Sequence, residues 1–124
     1  MMLTLRFSRS NSLEGGDSYV NLESLARYLD SCPLAVAFTE SGDCVLGCGM
    51  VLVGNSSIRT DGQWAWRADL AHYVSVHRVP LDERFLLRGE ERGWVPISLE
   101  ELPGETSNQI EEVLSSGVLN SPCE

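Results

Sequence analysis

The sequence predicts an α+β fold, in which a mostly antiparallel sheet of about five strands carries three to five short helices. Three observations support this class: apolar residues alternate near the N-terminus, several short segments have apolar residues at helical spacing, and an Asp-Gly dipeptide marks a tight hairpin. Nothing in the 124 residues resembles a linker or a repeat. We therefore expect residues 1–124 to form one domain, with residues 118–124 as a flexible tail.

The first predicted elements are a strand, a loop and a capped helix. Apolar and polar side chains alternate in residues 3–7, which is typical of a half-buried strand. Residues 8–17 are rich in Ser, Asn and Gly and are predicted to be a loop. Asn21 is a favourable N-cap for a helix over Leu22–Ser31, whose apolar residues recur at i, i+3, i+4 and i+7, and Pro33 ends it.

Two strands joined by a turn are predicted next. Residues 34–39 form the first strand, residues 40–43 the turn, and residues 44–53 a long second strand. The second strand is too continuously apolar for the edge of a sheet, so we expect it at the centre. Gly47 and Gly49 indicate a bulge or a close backbone approach within it.

The most informative stretch is a hairpin whose turn contains Asp61 and Gly62. Asp-Gly is the strongest short-range hairpin signal, because both turn positions need φ > 0 and glycine adopts that conformation at little cost. Trp64 and Trp66 follow the turn and are two residues apart, so in a strand they share one face. We expect one of these two tryptophans to lie in the core.

Two helices follow the hairpin. Residues 68–77 have apolar side chains, Tyr73 among them, at the spacing of one helix face. Residues 81–88 are predicted to form a second short helix. Asp82 and Glu83 lie in its first turn, where the helix dipole favours negative charge.

The last predicted elements are a short strand and a helix. Residues 94–97 form the strand, which is suited to a sheet edge. Ser98 and Glu101 have the spacing of a capping box. The final helix spans Thr106–Ser116, and Gly117 stops it.

The chain is strongly acidic, with a formal net charge of −9, and arginine supplies all nine of its Lys and Arg residues. Such a surface repels nucleic acid and anionic membranes and attracts cationic partners, although a solvated surface without a partner explains the same charge. Neighbouring carboxylates on a helix point about 100° apart, so they form no acid–base pair by themselves, but they can bind arginines of a partner. Two sets are the predicted partner-binding patches: Glu100, Glu101, Glu111 and Glu112, and secondly Asp82, Glu83, Glu90 and Glu91.

The cysteines and histidines are predicted to bind no metal and no cofactor. Cys44 and Cys48 on one continuous strand would lie about 13 Å apart, too far to share a zinc ion or to form a disulfide, although a bulge at Gly47 would shorten that distance. His72 and His77 are about 140° apart around a helix, so they do not share a face. A Cys–His pair such as Cys48 with His72 would need tertiary proximity that no motif indicates.

The sequence contains no enzyme motif: it lacks a nucleophile elbow, a P-loop, a dinucleotide fingerprint and the zinc-protease helix. The apolar stretch at the N-terminus is too short for a signal peptide, and the residues after it are too polar. No apolar run approaches the ~18 residues that a membrane-spanning helix needs. We therefore expect a cytoplasmic, non-enzymatic protein with no direct contact to nucleic acid or membrane.

The hairpin and the helices after it resemble a segment of small bacterial proteins. The pattern consists of Asp61, Gly62, Trp64, Trp66 and Tyr73, followed by a helix with Pro, acidic residues and Phe at its start. Some of those proteins resemble immunity proteins that accompany secreted toxins. The resemblance implies a shared fold element and carries over no catalytic residue.

These observations together predict an immunity protein that neutralises a cationic toxin or effector domain by covering its active surface. Three alternatives stay open. The first is a small enzyme with Cys44 or Cys48 as nucleophile. The second is a structural or regulatory adaptor, homodimeric through a strand edge. The third is a nucleic-acid mimic that blocks a DNA-binding enzyme.

Overall fold

The computed structural model describes residues 2–7 and 22–123, and it has the predicted α+β class in a single small domain. Asn21 and the loop predicted over residues 8–17 lie outside the described residues. The described strands are β1 (Leu3–Thr4), β2 (Leu34–Val36), β3 (Ser41–Asp43), β4 (Val51–Val53), β5 (Ile58–Thr60) and β6 (Trp64–Arg67). The described helices are α1 (Leu22–Ser31), α2 (Leu70–His77), α3 (Glu83–Glu91) and α4 (Thr106–Ser116), and a 3₁₀ turn spans Leu99–Glu101.

The strands form a mixed four-stranded sheet and a separate hairpin. The order in the main sheet is β1-β6-β5-β2, with β1 parallel to β6 and the other pairs antiparallel. Strands β3 and β4 pair with each other, from Ser41 opposite Val53 to Asp43 opposite Val51. The predicted sheet is thus divided, and β6 rather than the 44–53 segment carries its most buried residues.

Strand β6 is buried on both faces of the main sheet. Trp64 and Trp66 both lie in the core, with 2% and 0% of their surface exposed, and they contact the ring of Phe85 edge-on. Ala65 points to the opposite side, where it packs in a second cluster with Ile110 of α4. The expectation that one tryptophan is buried therefore holds for both, because the two side chains share the face of the strand that Phe85 of α3 covers.

Asp61 organises the turn between β5 and β6. Its carboxylate accepts hydrogen bonds from the backbone N–H groups of Gln63 and Trp64 at 2.9 and 2.7 Å and from the Tyr28 hydroxyl at 2.8 Å. Gly62 has φ = +90°, whereas Asp61 is not among the residues with positive φ. The predicted hairpin is confirmed, but the turn needs φ > 0 at the glycine alone because the Asp61 side chain closes it.

The predicted central strand over residues 44–53 is wrong. The chain reverses after β3, since Gly47 and Gly49 have φ of +80° and +85° and the Cys44 N–H donates to the Met50 carbonyl at 3.0 Å. The predicted turn over residues 40–43 contains β3 instead, and Val53 of β4 is 83% exposed. Local glycine conformation overrides the apolar run and produces a surface hairpin.

The strand predicted over residues 94–97 is also wrong. Gly93 and Trp94 both have positive φ, and the Trp94 N–H donates to the Gly89 carbonyl at 2.9 Å. This closes the end of α3 and turns the Trp94 ring onto Tyr28 at a centroid distance of 5.6 Å. Packing of the Trp94 ring on Tyr28 thus favours this turn over the extended backbone of a strand.

The helices agree closely with the prediction. The bounds of α1 and α4 are those expected, and Gly117 ends α4 with φ = +72°. Asp82 is the N-cap of α3 rather than a residue of its first turn, and its carboxylate accepts from the Arg84 N–H. The Ser98 hydroxyl donates to the Glu101 carboxylate at 2.8 Å, so this pair joins side chains without capping the backbone.

Residues 118–123 contact the rest of the domain. Leu119 is 5% exposed, and Cys123 forms a parallel bridge with Phe7. The Arg67 guanidinium donates to the Asn120 carbonyl at 2.9 Å and forms a buried ion pair with Asp69. The described part of the predicted tail therefore belongs to the folded domain.

The described helices are short, and α4 is the longest at 11 residues. None of them combines the length and the apolar character needed to cross a membrane.

Gly89 of α3 tests the packing of Trp94. A Cβ at Gly89 would collide with the Trp94 ring, although alanine by itself favours a helix over glycine by about 1 kcal/mol. We expect Gly89→Ala to lower the free energy of unfolding by about 1–3 kcal/mol in urea denaturation, because overpacking exceeds the gain in propensity. Gly104→Ala is the matched control, since a Cβ there meets nothing within 4 Å. An unchanged or raised stability of Gly89→Ala would contradict this packing.

Candidate metal centre

The turn between β3 and β4 brings Cys44 and Cys48 together. Gly47 donates its N–H to the Cys44 carbonyl at 3.1 Å, which folds residues 44–48 into a tight loop. The predicted separation of about 13 Å assumed an extended strand and is wrong here. Both thiols therefore lie on one side of the hairpin, close to α2.

Helix α2 supplies two imidazoles to the same place. Cys44 Sγ lies 3.2 Å from His77 Nε2, and Cys48 Sγ lies 3.5 Å from His72 Nε2. The two rings have centroids 5.3 Å apart at an interplanar angle of 73°. The backbone angle of about 140° between these positions is correct for a helix, but it does not prevent long side chains from converging on a loop that lies between them.

The resulting donor set is two thiols and two imidazoles: Cys44, Cys48, His72 and His77. One ligand atom from each lies within 4.8 Å of all the others. A tetrahedral zinc ion with Zn–S bonds of about 2.3 Å and Zn–N bonds of about 2.0 Å separates its donor atoms by about 3.3–3.8 Å. The four side chains thus need shifts of about 1 Å or less to reach that geometry, and Cys₂His₂ is a common zinc ligand set.

The surroundings of the cluster favour the protonation states that bind metal. Burial raises the pKa of Cys44, but backbone N–H groups of Cys48, Leu46 and Gly47 that hydrogen-bond its sulfur outweigh this and hold that pKa below its usual value. Partial burial, together with the nearby His77, lowers the pKa of His72, which favours the neutral imidazole. Metals bind the thiolate and the neutral imidazole.

Tyr73 fastens the cysteine loop to the core. Its hydroxyl accepts a hydrogen bond from the Val45 N–H at 3.0 Å, and its ring packs on Phe7 at a centroid distance of 4.9 Å. Burial raises the pKa of Tyr73, so the hydroxyl stays neutral. The aromatic side chain that the sequence placed on the core face of α2 therefore also positions Cys44.

The predicted partner-binding carboxylates lie on other elements. In the described chain, Asp82 is half-buried and paired with Arg84 at 2.9 Å, which together with its hydrogen bonds lowers the pKa of Asp82. The other acidic residues of the two predicted patches are exposed: Glu83, Glu90 and Glu91 on α3, Glu100 and Glu101 on the 3₁₀ turn, and Glu111 and Glu112 on α4. Asp61, Trp64, Trp66 and Tyr73 are buried, and Gly62 closes the hairpin turn, so these five residues have structural roles.

The structure brings together Cys48 and His72, the pair for which the sequence indicated no proximity. Sequence reasoning missed the full cluster because it treated the cysteine spacing and the histidine spacing separately. The pair Cys44 and Cys48 and the pair His72 and His77 are each unremarkable alone, and 24 residues separate Cys48 from His72. The available signal was Gly47 between the cysteines, which permits the reversal that an ordinary residue resists.

Comparisons with known proteins found no matching family model, no matching curated protein and no matching solved structure.

The four cysteines should differ in reactivity toward a thiol reagent in the metal-free folded protein. Burial raises the pKa of the Cys32 thiol to about 11, and its side chain is fully buried, whereas Cys48 is exposed. We expect Cys48 to be labelled first and Cys32 last, by at least about 100-fold in rate, because accessible thiolates react and buried thiols do not. Mass spectrometry of digested samples measures the order, and labelling of Cys32 before Cys48 would contradict the structure.

Proposed function

We propose that this chain binds one Zn²⁺ ion through Cys44, Cys48, His72 and His77. The convergence of these four donor atoms within 4.8 Å carries the proposal. Tetrahedral sites with two sulfur and two nitrogen donors select zinc among the common divalent ions. Two thiolates also balance the charge of the ion, and the carboxyl end of α2, where His77 lies, favours a cation.

The proposed site is structural rather than catalytic. Four protein ligands complete a zinc tetrahedron, which leaves no open position for a substrate or an activated water. A two-stranded hairpin is marginally stable in water, and β3–β4 is not part of the main sheet. Zinc would fasten this hairpin to α2, so its role is to fix a surface of a non-enzymatic protein.

Metal titration tests the site directly. The reduced, metal-free chain should bind one Zn²⁺, and bound Co²⁺ should show the visible absorption of a tetrahedral ion with a thiolate charge-transfer band. At free Zn²⁺ of about 1,000 times Kd, the free energy of unfolding should rise by about 4 kcal/mol. Cys48→Ser and His72→Asn should each weaken binding by more than about 100-fold, beyond the loss expected for an outer-shell contact.

Cys123→Ser is the control, because Cys123 lies outside the donor cluster and should leave zinc affinity unchanged. Equal affinities of the parent chain, Cys48→Ser and His72→Asn would refute the zinc site. If the metal-free chain instead acylates Cys44 or Cys48 and turns over an ester substrate, the cysteine-dependent enzyme is the correct function.

The exposed carboxylates support a second proposal: the acidic surface of the 3₁₀ turn and α4 binds a cationic protein. The formal net charge is −9 and no Lys or Arg follows Arg92, so a basic partner is steered toward the C-terminal third of the chain. The resemblance of the hairpin segment to immunity-type proteins favours a toxin or effector domain as that partner. Free thiols in the described structure and a thiolate metal site are suited to the reducing cytoplasm.

Charge reversal tests this binding role. The tagged chain should retain a basic protein from its host, and the double variant Glu100→Lys with Glu111→Lys should bind it about tenfold more slowly at low salt, measured by surface plasmon resonance. The double variant Glu90→Lys with Glu91→Lys reverses the second predicted patch, on α3, with the same change in charge. A partner rate slowed by this pair alone would place the contact on α3, and retention of no basic protein would refute the binding role.

A further inference from the structure

Strand β2, at one edge of the main sheet, borders an apolar groove next to α4. Among the described strands, β2 has a neighbour on one side only, because it ends the order β1-β6-β5-β2. The groove has a volume of ≈ 520 Å³ and lies between β2, the 3₁₀ turn and α4. Leu34, Leu99 and Leu114 line it and are 44%, 66% and 40% exposed. A sheet edge with unpaired backbone groups next to exposed leucines is suited to an added strand.

The groove carries negative charge and an unsatisfied hydroxyl. Glu111 is the one charged residue among its described lining residues, and the exposed Glu100 and Glu101 lie between the lining residues Leu99 and Leu102. Thr106 also lines the groove, is 6% exposed, and its Oγ1 has no hydrogen-bond partner within the described chain. Buried hydroxyls are normally hydrogen-bonded, so this one indicates a missing partner.

We propose that this groove binds an extended, basic segment of the partner protein as an added strand beside β2. Apolar side chains of the segment would cover Leu99 and Leu114, and its arginines or lysines would reach Glu111 in the groove and the neighbouring Glu100 and Glu101. A second copy of this chain is disfavoured, because it would bring another charge of −9 to an acidic edge. The inference rests on the proposed binding of a cationic protein and is independent of zinc.

A pair of synthetic peptides tests the proposal on the full chain. The first is an eight-residue peptide of alternating Arg and Val with blocked ends, and the second has the same composition in one block of Val and one block of Arg. We expect the alternating peptide to bind at least about tenfold more tightly by fluorescence anisotropy, since only alternation gives the added strand one apolar face along its whole length. Its binding should shift the backbone amide resonances of Leu34, Ala35 and Val36.

Variants locate the contact. Leu34→Arg places a like charge on the edge and should weaken the alternating peptide at least about tenfold, whereas the control Leu87→Arg, on the 60%-exposed Leu87 of α3, should not. Glu111→Gln should weaken it by up to about fivefold, an effect that added salt removes. Near-ultraviolet circular dichroism confirms that each variant keeps its packed aromatic core.

Several outcomes would overturn the proposal that the groove binds a basic strand. Equal affinities of the two peptides would mean that charge attraction alone causes binding. Unshifted amide resonances at residues 34–36 would place the peptide at another site, and absence of binding at low salt would exclude an added basic strand. Self-association that Leu34→Arg abolishes would assign the edge to a second copy. If the parent chain and Leu34→Arg retain the host's basic partner equally, the groove proposal fails while the binding function stands. If the parent retains no basic partner, the function itself fails.

Discussion

The buried carboxylate of Asp61 is the constraint on which the arrangement of this fold depends. It is 2% exposed and receives hydrogen bonds from the turn that it closes and from Tyr28 of α1, and Arg88 of α3 lies 3.7 Å away. A buried anion needs such partners, because an unpaired charge in the interior costs several kcal/mol. Burial and the adjacent Asp61 charge raise the pKa of Tyr28, so the hydroxyl stays protonated and donates to the carboxylate.

This interaction determines where the candidate metal centre can form. Asp61 sets the register of β5 against β6, and α2 begins three residues after β6 ends, so the position of the two histidines follows from the hairpin turn. The opposite half of the centre depends on Tyr73, which lies in the same core and accepts from the cysteine loop. The four donor side chains therefore meet because the β3–β4 turn and α2 both pack against one aromatic core. Each of these two segments supplies only two of the four donors.

The sequence predicted those elements whose signals are local. The Asp-Gly turn, the bounds of α1 and α4 and the stop at Gly117 each depend on a few neighbouring residues, and all agree with the structure. The errors have two causes. Trp94 packs on the distant Tyr28 of α1 instead of extending as a strand, and the 44–53 segment reverses locally at Gly47 and Gly49. The cluster of Cys44, Cys48, His72 and His77 combines both difficulties, because a local reversal is needed before the long-range proximity exists. The spacing of residues along the chain predicts neither the reversal at Gly47 and Gly49 nor the packing of the β3–β4 hairpin against α2.

The sequence separation of these donors has a kinetic consequence. Cys48 and His72 are 24 residues apart and Cys44 and His77 are 33 apart, with β4, β5 and β6 between them. Closing a loop of that length in an unfolded chain costs entropy, and the β5–β6 hairpin shortens the loop before the donors meet. A zinc ion at this centre would therefore be captured late in folding, after the hairpin has docked, and would slow unfolding more than it accelerates folding.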